Sequence, residues 1–203
     1  MTADSAAENG PVLVVSAHAG DFVWRAGGAI ALAASQGAEV TVLCLSYGER
    51  GESAELVDEI VRCYRRAEPA VVLTHALADP YNPDHPAAAR MALQARVLAQ
   101  AIGYDAPGEP LGAPPVFLFE PHQPEQCDFK PQVLLDITEV FNVKRRAMEC
   151  LVAQQHMWDY YTDLARRRGV QLRRNAGPNL GLAHDTMAEA YMRVYPQVTG
   201  TLR

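Results

Sequence analysis

The chain alternates short apolar runs of strand length with stretches of helical periodicity, and this restricts it to an α/β fold on a mostly parallel sheet. Val12 to Ser16 reads as the first strand, Asp21 to Gln36 as the first helix with Gly37 as a left-handed cap, and Glu39 to Leu45 as the second strand. Val71 to Thr74 and Val116 to Phe119 read as further strands, and Pro86 to Ala101 as a helix with proline in its first turn. A single helical stretch, Ala54 to Ala67, links the second strand to the third, which a parallel crossover permits. Gly103 to Pro115, rich in glycine and proline, reads as an irregular surface loop and Gln132 to Ile137 as an edge strand. Phe141 to Ala165 carries apolar residues at helical spacing, and Thr186 to Tyr195 is expected to form a last short helix. The expected architecture is a Rossmann-like sheet with helices on both faces, residues 1–203 forming one domain.

The charge balance, 18 basic against 24 acidic residues for a net −6, argues against a surface that coats phosphates, so no nucleic-acid partner is expected. No apolar stretch is long enough to span a bilayer, and the polar, acidic start lacks the layout of a signal peptide; a cytoplasmic protein with no membrane partner is expected. Cys44, Cys63, Cys127 and Cys150 are widely spaced and form no C-x-x-C pair. They are read as reduced thiols, neither zinc knuckle nor disulfide framework.

The chemistry concentrates just past the strands. His18 and Asp21 follow the first strand in Ser16-Ala17-His18-Ala19-Gly20-Asp21, and Asn82-Pro83-Asp84-His85 follows the run Val71-Val72-Leu73. Imidazole nitrogen and carboxylate oxygen are good ligands for a divalent ion, and strand-end turns can aim both clusters into one crevice. Asp84 competes with His85 as a ligand, or serves as its hydrogen-bond partner. Glu52 also reads as a carboxylate favoured at a helix N-terminus, and Arg25 as a stem covering apolar surface. His75, His156 and His184 have no ligand-like neighbour in sequence and read as structural; Trp158, Tyr160 and Tyr161 read as core or interface aromatics, and the basic run Arg166-Arg167-Arg168 as a solvated helix face.

Ala17-His18-x-x-Asp21, Gly27-Gly28, Gly48-Glu49-x-Gly51-Glu52 and Pro83-Asp84-His85 together resemble the zinc-dependent deacetylases of the PIG-L or LmbE-like group. The resemblance covers most of the chain and implies His18, Asp21 and His85 as zinc ligands. Those deacetylases place an aspartate base where this chain has Gly20, and a histidine where it has Asn82. Losing a general base costs roughly 10²–10⁴ in rate, so unmodified amide hydrolysis is disfavoured. The family also carries a further helix, strand and helix after the Gly-Glu motif that this chain lacks.

The stretch Ser16 to Ala31, with Cys44 to Ser53 and Phe119-Glu120-Pro121-His122-Gln123-Pro124-Glu125, resembles more narrowly the 4-oxalomesaconate hydratases of the same superfamily. That resemblance implies Glu52 and His122 as the proton-transfer pair, adding water to the double bond of a small oxo-tricarboxylate in gallate and protocatechuate breakdown. Hydration of a conjugated alkene needs an activated water, an electrophile on the substrate oxygens and a proton donor to carbon; zinc serves the first two needs. Glu52 is read as general base and His122 as general acid, with the reverse assignment open. Arg25 and Arg50 are the candidates to bind substrate carboxylates, guanidinium forks matching carboxylate geometry, and Asn82 to orient a carboxylate or water. A homo-oligomer is expected. The rival readings are a zinc-dependent deacetylase of an N-acetylated sugar or similar molecule, with Glu52 recruited as base, and a metal-holding or substrate-binding scaffold without catalysis.

Overall fold

The computed structural model describes residues 10–45, 53–176 and 181–200. Strands β1 (Val12–Ser16), β2 (Val40–Cys44), β3 (Val71–Thr74), β4 (Val116–Phe119), β5 (Val133–Asp136) and β6 (Ala188–Arg193) form one sheet in the order β2-β1-β3-β4-β6-β5. The first four run parallel, Val14 standing between Val42 and Leu73, while β6 lies antiparallel to both β4 and β5. Helices α1 (Asp21–Ser35), α2 (Ala54–Ala67), α3 (Asp84–Ala99), α4 (Phe141–Glu149) and α5 (Met157–Asn175) cover the faces.

The alternation of side chains along each strand divides the core in two. Leu13, Val15, Val72 and Val116 pack on α2 and α3 through Val57, Ile60, Tyr64, Met91 and Ala95. Val12, Val14, Leu73, Phe119 and Tyr191 form the opposite layer with Ala26 of α1. Helix α2 starts on a serine cap, the Ser53 hydroxyl accepting the Leu56 amide at 3.2 Å, and among the described residues is the one helix between β2 and β3, which lie on either side of β1. β2 and β5 are the sheet edges, and Gly37, at φ 85°, closes α1 as expected.

Two expectations are overturned. The segment Thr186 to Tyr195 is not a helix: its centre is β6, inserted between β4 and β5. Alanine, glutamate and methionine favour helix locally, but the ladder to two neighbours and the burial of Glu189 and Tyr191 on one face prevail. The long helix expected over Phe141 to Ala165 is two: α4 ends at Glu149, a 3₁₀ turn spans Val152–Gln154, and α5 starts at Met157 and runs on to Asn175. The break lets α4 pack on α1 while α5 lies over β5 and β6, two directions that one straight rod cannot follow.

Candidate metal centre and the pocket around it

Beyond β1 the chain turns so that Asp21 opens α1 with its side chain folded back on the turn. Its Oδ2 accepts the His18 backbone N–H at 3.0 Å and lies 3.0 Å from His18 Nδ1. That hydrogen bond raises His18 above the usual imidazole range despite its partial burial. Burial pushes the Asp21 carboxyl up, but the hydrogen bond from His18, the nearby His85 ring and the charge of Arg25 outweigh it and hold the group ionised far below the usual carboxylate range.

The loop after β3 supplies the second half. Asp79 accepts the Tyr81 and Asn82 backbone N–H groups at 3.0 and 3.1 Å, a tight turn that delivers Asp84 and His85 into the start of α3. Asp79 Oδ2 also lies 2.8 Å from His85 Nδ1, so the ring carries its proton there and turns Nε2 towards Asp21, 3.3 Å away. His75, fully buried, stacks on His85 at 4.3 Å and accepts the Ala17 N–H at 2.9 Å. Burial, reinforced by Arg25, holds His75 neutral well below its usual range.

One ligand atom each from His18, Asp21 and His85 lies within 4.8 Å of the others, the geometry of a shared ion. His85 Nε2 is buried without a hydrogen-bond partner, an acceptor that a cation would satisfy. Two imidazole nitrogens and a carboxylate oxygen suit zinc, as do three protein ligands that leave further coordination positions open. The residues present therefore fit the expected group. Asp84 turns to His18 instead, its Oδ2 standing 3.3 Å from Nε2.

The loop after β4 brings in His122. Burial, assisted by the Arg25 charge, lowers its pKa to about 4, so the ring is neutral at neutral pH in the absence of substrate. The Tyr161 hydroxyl lies 3.0 Å from His122 Nδ1, and the Tyr160 hydroxyl donates to the His122 carbonyl. Arg168 forks onto Glu120, two residues before His122. Gly20, at the place of the deacetylase base, has room for a Cβ, whose nearest neighbour would be Trp24 Nε1 at 3.4 Å; no proton acceptor projects from that position.

Arg25 departs from the role expected of it. Its side chain is about 1% exposed, with Nη1 3.0 and 3.2 Å from Nδ1 of His75 and His85, so it packs behind the imidazoles. Its Nε and Nη2 have no hydrogen-bond partner. Asn82 is half-buried, its carbonyl accepting the His85 N–H at 3.1 Å. Glu52 and Arg50 lie outside the described residues. Asp79, His75 and Tyr161 were missed as parts of the site. Asp79 leaves one trace in the sequence, an aspartate before proline opening a turn towards His85, but nothing in the sequence brings α5 to the loop after β4.

Residues 13–58 match the family model described as PIG-L, GlcNAc-PI de-N-acetylase. The chain is 45% identical to a 4-oxalmesaconate hydratase of Pseudomonas putida KT2440 over 237 aligned residues, covering 94% of this chain and 91% of the relative. That span exceeds the 203 residues of this chain, so the relative carries residues with no counterpart here. The crystal structure of GalB, the 4-carboxy-2-hydroxymuconate hydratase of the same organism, superposes with a TM-score of 0.87 at 41% identity, over 96% of this chain and 100% of that one. An N,N'-diacetylchitobiose deacetylase from Pyrococcus horikoshii shares the fold, with a TM-score of 0.70 at 16% identity over 91% of this chain and 83% of its own.

Proposed function

The chain belongs to the PIG-L superfamily, in the 4-oxalmesaconate hydratase family, and from that premise we propose that it is a zinc-dependent hydro-lyase adding water to the carbon–carbon double bond of 4-oxalomesaconate. One arrangement supports the reading: ligand atoms of His18, Asp21 and His85 lie within 4.8 Å of one another next to Gly20, where the resemblance implies the deacetylase base, and His122 in the loop after β4 is held by Tyr161.

His18, Asp21 and His85 would hold the ion, which when bound supplies a Lewis acid for water activation and for polarising the substrate oxygens. Asp79 fixes the ring of His85, and Arg25 supports His75 and His85 from behind instead of clamping substrate. Glu52, in our assignment, takes a proton from water as its oxygen forms the new C–O bond, and the alkene electron pair moves into the conjugated carbonyl as an enolate. His122 then directs a proton to the enolate carbon, which restores the carbonyl and completes the addition of H and OH. A tricarboxylate brings negative charge next to a ring that burial and Arg25 keep neutral, and so favours its protonation on binding. Arg50 is assigned to a substrate carboxylate and Asn82 to an oriented carboxylate or water.

Purified protein with and without added zinc, mixed with 4-oxalomesaconate, tests the reading. Zinc-dependent loss of the conjugated ultraviolet absorbance, with no acetate released from an N-acetylated amino sugar, is expected. Acetate release without hydration would establish the deacetylase instead.

A further inference from the structure

Helix α5 makes three polar contacts with the segment that carries His122, and only one of them reaches the ring. Arg168 grips the Glu120 carboxylate and Tyr160 the His122 carbonyl, which fixes the backbone. Tyr161 meets Nδ1 of the imidazole itself, at 3.0 Å. Tyr161 is buried and cannot swing away: its ring stacks on Trp24 with centroids 5.4 Å apart, and Trp24 is tied to Gln154 by a 3.0 Å hydrogen bond. The Arg25 guanidinium lies against the phenol. A guanidinium only donates and so can take no proton from the phenol, whereas a neutral imidazole has one nitrogen free to accept, which directs the phenolic proton at His122 Nδ1. An imidazole that accepts at Nδ1 carries its proton on Nε2.

We propose that Tyr161 is a positioning residue of the hydration reaction, its hydroxyl donating to Nδ1 of the neutral, substrate-free His122 so that Nε2 carries the proton and is the nitrogen presented to the substrate; once the ring gains a second proton, the phenol turns to accept from Nδ1. The inference rests on the hydratase reading for its consequence, while the tautomer it assigns is independent of any substrate. It also joins the two halves of the site. Trp24 and Arg25 belong to the helix that begins with Asp21, so α1 fixes a metal ligand at its start and, one turn later, the residue that steers the imidazole.

The test combines ¹⁵N NMR of the histidine rings, with His122 assigned by subtraction of a His122→Asn spectrum, and steady-state kinetics of zinc-loaded wild type and Tyr161→Phe. The wild-type ring is expected as the Nε2–H tautomer without substrate. Tyr161→Phe is expected to show a mixture of tautomers and a kcat lowered about tenfold to a hundredfold, with KM within about threefold of wild type. A wild-type ring protonated on Nδ1 overturns the proposal, and that measurement stands even if the variant does not fold. An unchanged kcat in folded Tyr161→Phe, or a rise in KM alone, overturns it as well. Failure of the wild type to hydrate 4-oxalomesaconate would overturn the functional reading instead, leaving the tautomer to decide the role of Tyr161.

Discussion

At the residue scale the site depends on which nitrogen each histidine offers. Asp79 lies 2.8 Å from His85 Nδ1 and thereby frees Nε2, so Asp79→Asn, which can present its amide to that nitrogen, is expected to weaken metal affinity by about 10–100-fold. Zinc competition against a chromophoric chelator measures it. His122 yields a pH prediction. Its folded pKa is near 4 and its ordinary value 6.5, so between those limits the unfolded chain binds a proton that the folded chain refuses. Stability therefore rises with pH through that window and is lost on acidification. His122→Asn lacks this linkage, and its melting temperature is expected to fall less than that of wild type when calorimetry is repeated at about pH 7 and about pH 5. An equal fall in both proteins would contradict the shift.

At the scale of elements, a buried ion pair locks α4 to β6. Lys144 Nζ lies 2.6 Å from Glu189 Oε1, both side chains under 5% exposed, and the same carboxylate accepts the Gly28 and Ala29 amides of α1 and the Tyr191 hydroxyl. Glu189→Ala leaves a buried ammonium without its counter-ion and is expected to cost about 3–5 kcal/mol in denaturant unfolding. Pairing it with Lys144→Met should recover part of the loss, because the stranded charge is then gone. Gly28 belongs to this junction: a Cβ there would stand 2.7 Å from Ile137 and 2.8 Å from Glu189, so only glycine lets α1 approach so closely. The Gly27-Gly28 pair was legible as part of a motif, but its physical reason is a strand that the sequence reading took for a helix.

At the scale of the whole molecule, three separate loops meet at the carboxyl ends of β1, β3 and β4, where the connections leaving β1, to β2, and β3, to β4, depart in opposite directions. An ion gripped by two of these loops ties together segments more than sixty residues apart. Free zinc at a hundred times its Kd is expected to add about 2.7 kcal/mol of stability, read as a calorimetric shift that His18→Ala with His85→Ala abolishes. Among the described residues no helix is long and apolar enough to cross a membrane.

Strand periodicity, the glycine cap after α1 and the crossover logic of a parallel sheet are properties of local stretches, and they were enough to read β1 to β5, α1 to α3 and the positions of the His18–Asp21 and Asp84–His85 clusters past the strands from the sequence alone. Local propensity failed where burial decides. The segment Ala188–Arg193 became a strand because two neighbours offered it ladders and Lys144 neutralised its buried carboxylate. Asp79 behind His85, His75 stacked on it, Arg25 withdrawn beneath both and Tyr161 at His122 were set by tertiary structure alone, since each contact joins elements whose separation in sequence leaves no periodic trace.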